Sequence, residues 1–312
     1  MPATPSPFDL SNESGYRVWR ETKLAAYPRN VDELIVTLND PRHLHSDEMA
    51  ALASCCARSN MVIYHAPGHP PADKSFPHQL AAQLGLVRLE ANYLSDEDGL
   101  SSITPTVDAG GGRGEFIPYT NKPINWHTDG YYNALDRRIL GMTLHCAQDA
   151  ESGGSNALLD HEIAYIQLRD INPDYIAALM QPDAMTIPAR MDDDNIARPE
   201  QSGPVFAVDP EQGFLTMRYT ARTRSIVWKA NATTQAAVKT LADILASSEY
   251  VLNAHLRPGM GLLCNNVLHT RSAFTDSPAH RRLLYRGRYY DRLRFDLRAP
   301  LKIHSSLKYK AR

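Results

Sequence analysis

Cysteine is scarce in this chain: four in 312 residues, two of them adjacent at Cys55 and Cys56. That pattern cannot supply the spaced pairs of a disulfide framework. An excess of one charge is missing too. Thirty-three Lys and Arg stand against 35 Asp and Glu, for a formal net charge of −2, so neither a nucleic acid nor an anionic membrane surface is an expected partner. No apolar stretch approaches the roughly 20 residues needed to span a bilayer. The opening Met1-Pro2-Ala3-Thr4-Pro5-Ser6-Pro7-Phe8-Asp9-Leu10 lacks the basic start and apolar core of a signal peptide. There is no internal repeat and no linker-like run. These absences leave a cytoplasmic protein of one domain, and its 43% hydrophobic content fills a core easily. A small molecule is the natural partner, and a homo-oligomer stays open.

What is present changes texture along the chain. Residues 1–85 read as mostly helical. A helix is expected from Tyr16 to Ala26. A second is capped by Ser46, with Met49, Leu52, Ala53 and Cys56 on one face. A third runs from Ser75 to Leu84 and stops at Gly85. Met61-Val62-Ile63-Tyr64 reads as a strand between them. From Val87 onward β character dominates, with a strand from Ile139 to Cys146 and an arginine-rich strand through Tyr290. A hairpin is expected around Asp209–Gly213. Helices are expected from Asp160 to Met180, broken at Asn172-Pro173, and after a cap at Thr233, with Val238, Leu241, Ala242 and Leu245 on its apolar face. The glycine-rich Asp108–Glu115 reads as a hairpin tip or lid, since no phosphate-loop order surrounds it. Met191-Asp192-Asp193-Asp194-Asn195 reads as a solvated loop. Strands interleaved with helices and few tight βαβ units predict an α+β, mainly β fold: a double-stranded β-helix (jelly roll) decorated by helices, with the helical 1–85 part packed on it.

The chemistry concentrates in Asn125-Trp126-His127-Thr128-Asp129-Gly130-Tyr131-Tyr132. Positions i and i+2 of a strand point the same way, so His127 and Asp129 can reach one metal. H-x-D alone is common in a chain with 12 histidines; its company is what matters. Downstream stands Val267-Leu268-His269-Thr270-Arg271-Ser272-Ala273-Phe274, and then Arg281-Arg282-Leu283-Leu284-Tyr285-Arg286. Two imidazoles and a carboxylate on one face of a ferrous ion leave the other positions open, and a guanidinium fork nearby suits a dicarboxylate better than an ammonium does.

Taken together and in this order, these segments resemble the Fe(II)- and 2-oxoglutarate-dependent dioxygenases of the taurine dioxygenase group, across about Tyr119 to Asp291. The distal segment is similar to the form found in the γ-butyrobetaine hydroxylase and clavaminate synthase branches. The resemblance implies Fe(II) on His127, Asp129 and His269, with 2-oxoglutarate and O2 as co-substrates. It implies that Arg282 holds the far carboxylate of 2-oxoglutarate, although a one-residue register shift would hand that role to Arg281. Arg286 matches an arginine that meets the substrate's anionic end. Gly153-Gly154-Ser155-Asn156 matches a Gly-Gly-x-Thr segment that touches 2-oxoglutarate, with Asn156 in place of Thr. Retention of Asp129 argues against the halogenating relatives.

The implied reaction oxidises, most simply hydroxylates, an unactivated C–H bond of a small acidic or zwitterionic molecule, with release of succinate and CO2. Desaturation, cyclisation and cleavage use the same iron chemistry. Tyr131 and Tyr132 are candidates for the substrate wall, and Arg218 and Tyr219 are further pocket candidates. Arg271 is expected to buttress the distal loop. His161 reads as a surface residue at a helix start, and His43, His45, His65, His69 and His78 as structural. Two other classes compete: a metal-bound sensor or binding protein without turnover, and a zinc hydrolase, which would leave the arginine strand unexplained.

Overall fold

The computed structural model describes residues 6–90, 95–106, 113–192, 195–222, 224 and 226–295. Most of the Asp108–Glu115 loop and the pair Asp193-Asp194 lie outside them. The first helix, α1 (Glu13–Ala26), starts where the Asn12 side chain accepts from the Gly15 N–H at 3.1 Å. After β1 (Ile35–Thr37) comes α2 (Ser46–Ser59), whose cap position is His45 rather than the expected Ser46. The Glu48 carboxylate there accepts from the His45 N–H at 2.8 Å and the Asn39 N–H at 2.7 Å. Asn60 ends α2 in the left-handed region, φ 56°. Next are β2 (Met61–His65), α3 (Ser75–Gln83), β3 (Ser101–Ile103), β4 (Ile124–His127) and β5 (Gly141–Gln148). Two short strands follow, β6 (Ser152–Gly153) and β7 (Asn156–Leu159).

Two helices, α4 (His161–Ile171) and α5 (Pro173–Leu179), meet at the expected break. Asn172 ends the first and caps the second through the Asp174 N–H at 2.9 Å, with Pro173 at the first helical position. Seven short strands come next: β8 (Met185–Ile187), β9 (Arg190–Asp192), β10 (Asn195–Arg198), β11 (Gln201–Gly203), β12 (Phe206–Val208), β13 (Leu215–Met217) and β14 (Val227–Trp228). The stretch expected to be a solvated loop is therefore a ribbon, with Met191 paired to Ile196 across β9 and β10. Both residues are exposed, which is why the polar sequence gave no alternating signal. The helix α6 (Ala232–Ser247) is capped by Asn231, not Thr233, through the Thr234 N–H at 2.8 Å. Its buried face is Ala237, Leu241, Ile244 and Leu245, with Ala242 exposed. The chain closes with β15 (Leu252–Ala254), β16 (Met260–Cys264), β17 (Leu268–Arg271), β18 (Phe274–Thr275) and β19 (Leu283–Tyr289).

Two sheets position the site. The larger has the order β1-β2-β16-β5-β19-β3, antiparallel except for β1 with β2. The mostly helical N-terminal part gives two strands to this sheet, β2 where a strand is expected and the short β1 besides. Phe76 of α3 lies fully buried against Tyr64 of β2 and His145 of β5, and β2 and β16 carry the near-continuous apolar runs of strands covered on both faces. The smaller sheet has the order β15-β7-β17-β4. The result is a mixed α and β architecture in which sequence-distant strands become neighbours. No helix among the described residues is long and apolar enough to cross a membrane.

A buried ion cluster ties the helices to the sheets. Lys23 of α1 reaches Asp160 at 2.6 Å and Glu162 at 2.5 Å, and Asn60 donates to the same Asp160 at 3.0 Å. His161, expected at the surface, is 1% exposed. Its Nε2 meets the Leu215 carbonyl at 3.0 Å, and burial holds its pKa down. It is a structural residue that ties the start of α4 to β13.

Candidate metal centre and co-substrate pocket

The pairing of β4 with β17 sets His127 directly opposite His269. Their rings lie 4.2 Å apart between centroids. Asp129 follows two residues after His127, and one ligand-capable atom from each of the three side chains falls within 4.8 Å of the others. Among the described residues this is the one such group. Both imidazoles are oriented the same way. His127 Nδ1 meets the Asn125 carbonyl at 2.9 Å and His269 Nδ1 meets the Val267 carbonyl at 3.0 Å. A carbonyl only accepts, so Nδ1 carries the proton and Nε2 keeps its lone pair for a cation. Burial, then the neighbouring His127, pushes the His269 pKa down to about 4, so its ring is a neutral donor near pH 7.

Asp129 is 5% exposed. Burial pushes its carboxyl up, yet Arg286 beside it, His127 and Arg288 hold it well below the usual carboxylate range. Its Oδ2 has no hydrogen-bond partner, with Arg286 Nη1 at 3.4 Å across the gap from the larger sheet. A buried, ionised, orphaned carboxylate oxygen beside two freed imidazole nitrogens is what a divalent cation requires. Asn266 fixes the backbone here: its Oδ1 accepts from the Asp129 N–H at 2.8 Å and its Nδ2 donates to the Asp129 and Ile139 carbonyls.

Arg282 is 4% exposed, whereas Arg281 points to solvent. Its guanidinium reaches only the Gly154 carbonyl, at 3.5 Å, and lies over the Phe274 ring at 5.1 Å. Among the described residues it pairs with no carboxylate, and burial lowers its pKa. A buried guanidinium left this poorly satisfied fits an incoming carboxylate. Asn156 is buried nearby, but its Nδ2 already donates to the Thr270 carbonyl at 2.7 Å and its Oδ1 has no partner. One N–H remains for a ligand. Arg271 donates to the carbonyls of Pro118, Ile117, Thr120 and Lys122, which anchors the segment before β4, as expected of a buttress.

Of the pocket candidates, Tyr131 and Tyr132 lie in the turn after Asp129, and their hydroxyls accept from Arg222 and Arg288. Arg218 does not line it with a free charge. Its guanidinium is spent on four backbone carbonyls, including Tyr131 at 2.7 Å and Gln201 at 2.7 Å, and Tyr219 is buried in the core. Sequence reasoning passed over three groups. Arg288 shares the inward face of β19 with Arg286, as an i, i+2 pair must; it pairs with Glu90 at 2.5 Å and donates to the Tyr132 hydroxyl at 2.7 Å. Asn133 donates to Glu90 at 2.6 Å. Alternation along the arginine strand was the signal that could have found Arg288; nothing local pointed to Glu90.

The sheets, the facing histidines and the arginine strand define a metal-dependent oxygenase fold, and wider similarity agrees. The profile of the family described as "Taurine catabolism dioxygenase TauD, TfdA family" matches residues 24–288, and the chain belongs to that family. A uridine-5'-phosphate dioxygenase from an Amycolatopsis species is 29% identical over 170 residues, which is 53% of this chain and 60% of that protein. The match thus spans less than two thirds of that relative's length. Two solved structures share the fold. An asparagine oxygenase, solved with Fe(II), 3-hydroxyasparagine and succinate, has a TM-score of 0.55 at 16% identity, covering 93% of this chain and 86% of its own. A taurine dioxygenase from Burkholderia xenovorans has a TM-score of 0.53 at 17% identity, covering 82% and 87%.

Proposed function

We propose that this protein is an Fe(II)- and 2-oxoglutarate-dependent dioxygenase that oxidises a C–H bond of a small acidic or zwitterionic molecule, with release of succinate and CO2. The observation that carries the proposal is the buried His127–Asp129–His269 cluster, with both Nε2 atoms freed and Asp129 Oδ2 unpartnered, in a member of this family. We read the chain as one catalytic domain with a double-stranded β-helix core; two sheets, antiparallel but for the β1–β2 pair, with Arg286 of the larger reaching Asp129 beside the histidines of the smaller, support this.

In this reading His127, Asp129 and His269 hold the iron on one face, and Arg282 takes the far carboxylate of 2-oxoglutarate with Asn156 beside it. Iron with 2-oxoglutarate and O2 supplies the oxidising power when bound. The chain's own residues bind, orient and exclude. The carbonyls of Asn125 and Val267 keep each imidazole in its metal-facing tautomer. Arg282 directs the keto acid end of the co-substrate toward the cluster, and Phe274 shields its guanidinium from water. With Asp129 committed to a metal, Arg286 would lose part of its electrostatic partner and would be free to receive an anionic group of the substrate, with Tyr131 and Tyr132 as walls.

The test is an anaerobic titration of metal-free protein with Fe(II) and 2-oxoglutarate, watching for the visible charge-transfer band of an iron–keto acid chelate. The band is expected to form without any substrate. Well-folded protein that binds iron but gives no band rejects the assignment. A screen of small anions for stimulated succinate release then defines the substrate.

A further inference from the structure

Tyr131 and Tyr132, in the turn that follows Asp129, are ringed by hydrogen-bond donors. The two rings meet edge-on, 5.1 Å between centroids. Arg222 Nη1 donates to the Tyr131 hydroxyl at 3.2 Å, and Arg288 Nη1 donates to the Tyr132 hydroxyl at 2.7 Å. Arginine has no acceptor, so each phenol oxygen is already used as an acceptor and its own proton must turn elsewhere. Among the described residues neither hydroxyl proton meets an acceptor. A third guanidinium, Arg198 on β10, lies 5.8 Å from the centre of the Tyr132 ring and is held there by the Pro188 carbonyl at 2.7 Å.

Charge accounting separates these arginines. Arg288 is neutralised by Glu90, and Arg286 faces Asp129. Arg198 and Arg222 pair with no carboxylate among the described residues. Arg198 is partly buried, and its pKa is held down first by burial, with repulsion from Arg190 adding to it. Two guanidiniums without a carboxylate, one partly buried and one exposed, leave a local positive charge that an acceptor-rich anion would complement.

We propose that Arg198, Arg222 and the hydroxyls of Tyr131 and Tyr132 form a second anion subsite beside the turn that carries Asp129, distinct from the Arg282 pocket, which takes a phosphate monoester group on the substrate. This rests on the dioxygenase reading for the word substrate, but not for the subsite itself. A phosphate monoester brings close to two negative charges and three acceptor oxygens, matching two cations and two O–H donors. A carboxylate brings one charge and is satisfied by a single guanidinium fork. A sulfonate has the same tetrahedral oxygens but only one charge. The subsite therefore predicts a preference set by charge rather than shape.

The experiment is calorimetric titration of the full chain at pH 8, loaded anaerobically with Fe(II) and 2-oxoglutarate, using phenyl phosphate and benzenesulfonate as probes. The visible band of the loaded sample reports on the dioxygenase reading before any probe is added. If it fails to form, the same titration on metal-free protein still tests the subsite. Phenyl phosphate is expected to bind at least about 10-fold more tightly than benzenesulfonate. Arg198→Gln and Arg222→Gln are each expected to erase that preference, Arg222→Lys to retain part of it, and Lys239→Gln, an exposed cation on α6, to leave it in place. Circular dichroism verifies that each variant is folded. Equal affinity for the two probes, no binding of either, or a preference kept in both Arg198→Gln and Arg222→Gln overturns the proposal.

Discussion

Asn266 grips the backbone of Asp129 on both sides, accepting from its N–H at 2.8 Å and donating to its carbonyl at 3.0 Å. It does so from a left-handed conformation, φ 51°, which Asn tolerates better than most side chains. Replacing it by Ala strips partners from three buried backbone groups. Asn266→Ala is expected to weaken Fe(II) binding by about 10- to 100-fold, as loss of a group that orients a ligand does, and to cost ~1–3 kcal/mol of stability. Iron titration and thermal melting check this; unchanged iron affinity would show that Asp129 is positioned by other contacts.

Asp129→Ala is expected to abolish the iron–keto acid band and all substrate-coupled turnover, because the two remaining imidazoles cannot hold the ion in a fixed geometry. It also leaves Arg286 without its partner across the sheets. A variant that kept both band and turnover would remove Asp129 from the ligand set.

The 2-oxoglutarate clamp separates cleanly from the iron. Arg282→Ala should raise the 2-oxoglutarate concentration needed for the band about 10- to 100-fold while iron binding persists. Arg281→Ala, at an exposed position, should change neither. Gly154→Ala is a subtler probe: φ there is +77°, and a Cβ would stand 2.9 Å from Arg282 Nε. It should push the guanidinium aside and mimic part of the Arg282→Ala defect, besides a backbone cost of ~1–2 kcal/mol.

A pH dependence follows from a buried histidine away from the site. His145 is fully buried, accepting from the Tyr64 hydroxyl at 2.9 Å on Nδ1 and donating from Nε2 to the Pro71 carbonyl at 2.8 Å. Burial lowers its pKa from 6.5 to about 4. The unfolded chain therefore binds a proton between about pH 6.5 and 4 that the folded chain refuses. Stability falls as pH drops through that window and the loss levels off below it, by about 3 kcal/mol for this group. Urea melts from pH 7.5 to 4.5 should show the decline, with a shallower slope in His145→Gln. An equal slope in the variant would assign the decline to other groups.

Much of the site was legible because its signals are local. His127 and Asp129 share a strand face by spacing alone, and the burial of Arg282 against exposed Arg281 follows from the alternation that left the two open. The stop at Asn172-Pro173 is likewise written in two residues. What stayed hidden arrives from elsewhere in the fold. Glu90 matters only because β19 brings Arg288 beside it, and Arg198 only because a ribbon with no alternating pattern folds over Tyr132. His161 looked like the wet start of a helix, but Lys23, more than a hundred residues earlier, comes down on Asp160 and Glu162 and seals that end. The caps at His45 and Asn231 were misassigned by one or two residues because several neighbouring polar side chains could each serve.

The facing of His127 and His269 across β4 and β17 also orders events in time. A chain emerging from the ribosome displays the first histidine and Asp129 long before the strand that completes the pair. Only after β16 through β19 have been made can either sheet close. Such distant pairings are slow to form, so the capacity to retain iron should appear late and all at once. Metal loading during refolding would then mark the final closure of the two sheets rather than an early nucleus.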